Sequence, residues 1–140
     1  MQDEVRGEFT ISSNPDLLNF ETICELLKDS YWAGNRPQET IARSIAHSLC
    51  FGVYFRDKQV GFARVVTDYS TFAYLCDVVF AEESRGRGLG KWLVAVILNY
   101  PSLQGLRRWT LATKDAQEFY RSFGFKELSS PEKWMEIFSG

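Results

Sequence analysis

Apolar residues along this chain recur at two spacings, and the switches between them mark its elements. Residues 9–12 read as a short strand. Asn14 and Pro15 follow as a cap and a proline suited to a first helical turn. Phe20, Ile23, Cys24, Leu27 and Tyr31 then fall at helical spacing. Pro37 opens a second helix with Ile41, Ile45 and Leu49 on one side. Residues 49–56 and 60–67 flank the polar stretch 57–59, the pattern of a hairpin. Residues 71–80 are nearly continuous in apolar character, which predicts a strand buried on both faces. The strongest helix comes next, with Leu89, Trp92, Leu93, Val96, Ile97 and Tyr100 on one stripe and Pro101 closing it. Residues 108–112 predict a further strand. Asp115 is placed as the N-cap of a helix carrying Ala116, Phe119, Tyr120 and Phe123, with Glu118 as its capping-box partner and Gly124 at C′. Residues 134–138 predict a last strand, and a further short one near 125–128 is left open. The order β-α-α-β-β-β-α-β-α-β implies an α+β chain, a mixed sheet with helices on both faces.

Composition narrows the class. A length of 140 residues, 45% apolar and 24% charged, suits one domain over 1–140. No apolar run approaches the ~20 residues that span a bilayer, so no membrane association is expected. The charged start, residues 1–8, lacks a secretory pattern. Cys24, Cys50 and Cys76 are odd in number and show no CxxC spacing. They read as buried free thiols, and a cytoplasmic location is expected. One histidine and no Cys/His cluster predict no metal.

Charge is uneven along the chain. Between positions 85 and 126 stand eight basic and two acidic residues; elsewhere there are eight basic and sixteen acidic. An anion docking on the basic stretch fits this distribution, as does a solvated basic face. A nucleic acid does not, because the net charge is −2 and no basic stripe continues beyond it.

Within that stretch Gly86, Gly88 and Gly90 alternate with Arg85, Arg87 and Leu89, directly after a strand and before a helix. Such a loop lets backbone N–H groups approach a phosphate, and the helix N-terminus adds its positive end. The spacing is not that of a nucleotide P-loop, since Gly86 is one position too close to Gly90-Lys91 and Trp92 replaces the magnesium-binding hydroxyl. Nor is it the dinucleotide fingerprint.

The segment Arg85-Gly86-Arg87-Gly88-Leu89-Gly90 resembles the Gln/Arg-x-x-Gly-x-Gly/Ala motif of the GNAT superfamily of N-acetyltransferases. Asp77-Val78-Val79-Phe80 is similar to that family's fourth strand. The run from Ala116 through Phe119-Tyr120 to Gly124-Phe125 resembles its Ala-x-x-Phe-Tyr-x-x-x-Gly-Phe hallmark. The resemblance covers nearly the whole chain and implies the GNAT acyl-CoA N-acyltransferase fold, with a mostly antiparallel central sheet. It also implies acetyl-coenzyme A as co-substrate and direct attack by an amine. Residues Val78, Val79 and Phe80 would pair with the pantetheine arm. Arg85, Gly86, Arg87, Gly88, Leu89, Gly90 and Lys91 would cradle the pyrophosphate, with Thr113 and Phe119 beside the cofactor. Thr113 stands where the family often has Asn.

Tyr120 sits where the family places the acid that protonates the departing thiolate, and a phenol with pKa ~10 stays protonated at neutral pH. The base is open: Asp77, Glu25, Glu39 and a water chain remain, while strand alternation turns Asp77 away from Tyr74 and Cys76. His47 reads as a surface or capping residue. On the acceptor side the resemblance places the loop between the first two helices, with Tyr31, Trp32, Asn35 and Arg36, and Tyr74 joins it from the strand. Arg36 or Arg64 suits a carboxylate. The thirteen acidic against seven basic residues before Arg85 favour instead a cationic acceptor such as a polyamine. A small-molecule amine is expected first, a peptide amine second. A non-catalytic acyl-coenzyme A sensor is the rival reading, and a homodimer through the last strand or an edge is undecided.

Overall fold

A computed structural model describes residues 2–140. Strands β1 (Glu4–Arg6) and β2 (Phe9–Ser12) precede helices α1 (Phe20–Lys28) and α2 (Gln38–Ala46). Three longer strands follow: β3 (Leu49–Phe55), β4 (Lys58–Thr67) and β5 (Phe72–Phe80). Helix α3 (Leu89–Leu98), strand β6 (Arg108–Thr110) and helix α4 (Gln117–Arg121) complete the order. Among the described residues the strands form one sheet in the order β1-β2-β3-β4-β5-β6. All neighbours are antiparallel except β5 and β6. No described helix is long and apolar enough to cross a membrane.

The sheet is packed on both faces. On one, Phe51, Val53, Ala63, Val65, Ala73 and Leu75 meet Leu89, Leu93 and Ile97 of α3. On the other, Cys50, Phe62 and Val79 meet Ile23, Leu27 and Ile41 of α1 and α2. The periodic apolar stripes read from the chain therefore do what amphipathic helices must, burying one face against a sheet.

The structure corrects several expectations. Asn14 caps only a 3-10 turn at Pro15–Leu17, and α1 starts later, where Asn19 Oδ1 accepts from the Thr22 N–H at 3.0 Å. Strand β1 carries no apolar alternation and was not expected. Strand β5 is not buried on both faces: its residues alternate between buried and half-buried, because one side borders a cavity. Asp115 does not cap α4. Instead Thr113 Oγ1 accepts from the Ala116 N–H at 3.1 Å, and Glu118 pairs with Arg121. Residues 125–128 and 134–138 form no strand. Trp134 lies over the Arg108 guanidinium at 4.8 Å. Met135 and Ile137 are 97% and 100% exposed, so the apolar pattern there buries almost nothing. All three thiols are free, but only Cys50 is fully buried.

Candidate functional site

The site begins with a parting of strands. β5 pairs with β6 only from Phe72↔Arg108 to Tyr74↔Thr110. Beyond that point β5 continues to Phe80 with no strand beside it on that edge. Its backbone groups there are left to another partner, since exposed edge N–H and C=O groups pair readily with an added chain.

A bulge reshapes the same stretch. Arg64 stands opposite Cys76 and Phe62 opposite Val79, so Ala63 alone faces two residues, Asp77 and Val78. Asp77 adopts a left-handed backbone, φ 55°. The extra residue shifts the alternation by one. Ala73 and Leu75 therefore pack toward α3, whereas Val79 packs toward α1 and α2. This overturns the alternation argument made from sequence: Asp77 joins the face that carries Arg64.

There it accepts three hydrogen bonds. Trp32 Nε1 donates to Oδ1 at 3.0 Å, and Arg36 Nη1 and Arg64 Nε donate to Oδ2 at 2.8 and 2.9 Å. Arg64 Nη1 also donates to Ser48 Oγ at 3.1 Å. Burial pushes the Asp77 carboxyl up, but the hydrogen bonds and charges of Arg36 and Arg64 outweigh it and hold it below the usual carboxylate range. An acid so stabilised as its anion is a poor proton acceptor. It anchors the α1–α2 loop to the sheet.

The loop crosses the parting. The Lys114 N–H donates to Tyr31 Oη at 3.0 Å, which ties the loop to the segment after β6. Beneath it lies a cavity of about 580 Å³, bordered by Trp32, Arg36, Arg64, Tyr74, Thr113 and Tyr120 among others. A smaller one of about 330 Å³, bordered by Val78, Val79, Phe80 and Arg85, shares Tyr31, Trp32 and Val78 with it. The two adjoin at those shared residues and follow β5 from Tyr74 to Phe80.

Past the end of β5 stands the N-terminus of α3. Gly86 and Gly88 have φ of 77° and 76°, and Gly88 is the N-cap. Their requirement is conformational, because a Cβ at either would meet nothing within 4 Å. The first-turn N–H groups of α3 have no helical acceptor, as at any helix start. Arg85, Arg87 and Lys91 are exposed around them, while the Leu89 side chain is buried in the core. Arg85 Nε donates to the Phe80 carbonyl at 3.2 Å. Gly90 lies close to Phe80 and Phe119, whose rings would contact an added Cβ at 3.7 and 3.8 Å.

Tyr120 is half-buried on the cavity wall, edge-on to Phe119 and Phe125. Burial, then the neighbouring Tyr31, raises its phenol above the ordinary value, so it stays protonated through the neutral range. Cys76 borders the same cavity, but burial, opposed by Arg64, pushes its thiol up to about 11. That leaves little thiolate for nucleophilic work.

Not every candidate arrives. Glu25 borders a separate cleft of about 710 Å³ between α1 and α2. Glu39 is at the surface, paired with Arg43. His47 is exposed and caps the end of α2, its Nδ1 at 3.0 Å from the Arg43 carbonyl. The sequence reading missed the Trp32–Arg36–Arg64 convergence on Asp77. An acid inside an apolar run was the only available signal, and its bulge is invisible to alternation.

The acetyltransferase (GNAT) domain model matches residues 46–127. A candidate acetyltransferase of Gibberella zeae is 31% identical, over 90% of this chain and 84% of its own. The crystal structure of a candidate GNAT-family acetyltransferase from Xanthomonas campestris superposes with a TM-score of 0.92 at 42% identity, covering 96% of each chain. The N-acetylglutamate synthase of Neisseria gonorrhoeae, crystallised with coenzyme A and N-acetyl-glutamate, shares the fold. Its TM-score is 0.71 at 17% identity, over 91% of this chain and 30% of that one. Together with the parted strands and the glycine loop, these matches show that the chain belongs to the GNAT family of acetyltransferases.

Proposed function

We propose that residues 1–140 act as one domain that moves an acetyl group from acetyl-coenzyme A to the primary amine of a small molecule, by direct attack in a ternary complex. Acetyl-coenzyme A supplies the activated acyl group as a thioester. The unpaired backbone of Val78, Val79 and Phe80 suits the amides of its pantetheine arm, which would add to the sheet as a strand does. The Phe80 carbonyl keeps a second lone pair beside its bond from Arg85. The α3 N-terminus, with Arg85, Arg87 and Lys91, suits the pyrophosphate. Thr113 borders the cavity, and Phe119, close to Gly90, would stand beside the cofactor.

Tyr120 is the acid in this reading. It borders the cavity, keeps its proton, and none of the described residues hydrogen-bonds its hydroxyl, which leaves it free to donate to the departing sulfur. Trp32, Arg36 and Tyr74 hold the acceptor. With Asp77 locked as an anion and Glu25 and Glu39 elsewhere, water in the cavity is the proton acceptor that fits. Most of the rate gain would come from holding two reactants in attack geometry.

One observation carries the proposal: the partnerless stretch of β5 leads from the wall bearing Tyr120 to the N-terminus of α3. A coenzyme A-bound relative of the same fold supports it. Acetyl-coenzyme A should raise the thermal midpoint where ATP and NAD do not. Thiol release across an amine panel then separates an enzyme from a sensor. No midpoint shift at millimolar acetyl-coenzyme A refutes both.

A further inference from the structure

Two guanidinium groups, Arg36 and Arg64, converge on one carboxylate, Asp77. The trio thus keeps one positive charge without a counter-ion. It is half-buried: the Arg36 and Arg64 side chains are 21% and 14% exposed, that of Asp77 only 2%. A charge so placed is worth far more to an incoming anion than a surface lysine is.

The donors that remain open reach solvent, where Arg64 borders the cavity and Arg36 lies between it and the α1–α2 cleft. Arg36 gives Asp77 a single nitrogen, Nη1, and its guanidinium hydrogen-bonds no other described residue. Neither arginine has a nitrogen buried without a partner, so their remaining N–H groups reach solvent, and both side chains border the 580 Å³ cavity. Asp77 in turn fixes the guanidinium planes, which lowers the entropy lost when they bind a planar oxyanion. Of the thirteen acidic residues before Arg85, only Asp77 borders this cavity. The local balance is therefore opposite to the balance of the chain. Arg36, Arg64 and Lys114 stand against Asp77 and Asp115.

We infer that the acceptor amine carries an oxyanion, a carboxylate or a phosphate group a short chain away from the nitrogen, and that Arg36 receives it with Arg64 behind. This rests on the acetyl-transfer reading above. Trp32, Tyr74 and Tyr120 wall the connecting chain. A polyamine is disfavoured, because its second ammonium would meet the unneutralised guanidinium charge.

The test compares β-alanine, γ-aminobutyrate and 2-aminoethyl phosphate with β-alaninamide, propylamine and putrescine. Thiol release from acetyl-coenzyme A is one readout. The other needs no turnover: phenylglyoxal labelling of Arg36, located by mass spectrometry, with and without each amine. The anionic amines should show kcat/KM at least about tenfold above β-alaninamide, the scale of a charged hydrogen bond, and should slow labelling. The carboxylate and phosphate arms identify which oxyanion is read. Arg36→Gln should bring the ratio to about one, through KM more than kcat, while Arg64 and Trp32 still hold Asp77. Should that variant fail to fold, labelling of the unaltered protein carries the test. Equal rates together with unprotected labelling overturn the inference, and so does a preference for putrescine. Failure of acetyl-coenzyme A to shift the thermal midpoint would instead remove the acetyl-transfer reading, and the labelling result would still stand.

Discussion

Arg64 Nε and Asp77 Oδ2 lie 2.9 Å apart on neighbouring strands, although regular pairing would turn Asp77 to the opposite face. The left-handed residue at the bulge makes the contact. Asp77→Asn removes the anion and leaves two half-buried guanidinium groups, at an expected cost of about 2–4 kcal/mol. Asp77→Ala should cost about 1 kcal/mol more, because alanine tolerates left-handed backbone less well than Asn. Urea unfolding of both variants checks the size and the order.

Acid should report the same residue. Burial acts to raise the Asp77 pKa, but Arg36 and Arg64 prevail and it is lowered on folding. Its contribution is therefore full above the unfolded value of about 3.9, and is lost as pH falls through the lowered folded value. The stability difference between the unaltered protein and Asp77→Asn should be flat above about pH 5 and shrink below about pH 4. A difference that grows toward low pH would contradict the network.

Tyr120→Phe separates chemistry from packing. The ring keeps its edge contacts with Phe119 and Phe125, and no described residue loses a hydrogen bond. Stability should stay within about 0.5 kcal/mol, while kcat falls by about 10²-fold or more. An unchanged rate across pH would remove Tyr120 as the acid. Cys76→Ala should by contrast keep most of the rate, since burial pushes its thiol up to about 11.

Two glycines of one loop should behave differently. Gly88 needs φ 76°, and Gly88→Asp puts an anion where the phosphates would dock. Thermal stabilisation by acetyl-coenzyme A should vanish, with a fold cost of about 1 kcal/mol. Gly90 sits inside α3 with room for a methyl group, 3.7 Å from Phe80. Gly90→Ala should stabilise by about 0.5–1 kcal/mol. Calorimetry with and without ligand distinguishes the pair.

Tyr54 Oη is buried and has no hydrogen-bond partner among the described residues. Tyr54→Phe removes a desolvated hydroxyl and keeps the ring, so it should be neutral or stabilising by up to about 1 kcal/mol. A loss above 1 kcal/mol in urea unfolding would reveal a hidden partner.

Much of this molecule is local information. The stripe from Leu89 to Ile97 names its helix because spacing alone puts those side chains on one face. The hairpin from Leu49 to Thr67 is visible because a short polar break separates two apolar runs. The glycine loop is legible because positive φ is a property of single residues. Patterns failed where a partner was needed. Residues 134–138 are rich in apolar side chains yet pair with no strand, and β1 forms around a single apolar residue because β2 offers it an edge.

By itself, then, the sequence determined the order of elements from β2 to α4, the glycine loop before α3 and the phenol of Tyr120, each a matter of spacing or of one residue's chemistry. Only the tertiary structure decided what lines the cavity beside β5. Trp32, Arg36, Arg64 and Asp77 are up to 45 positions apart and meet through a one-residue bulge. The charge of the cavity follows from that meeting, because an electrostatic field depends on distance in space and not along the chain.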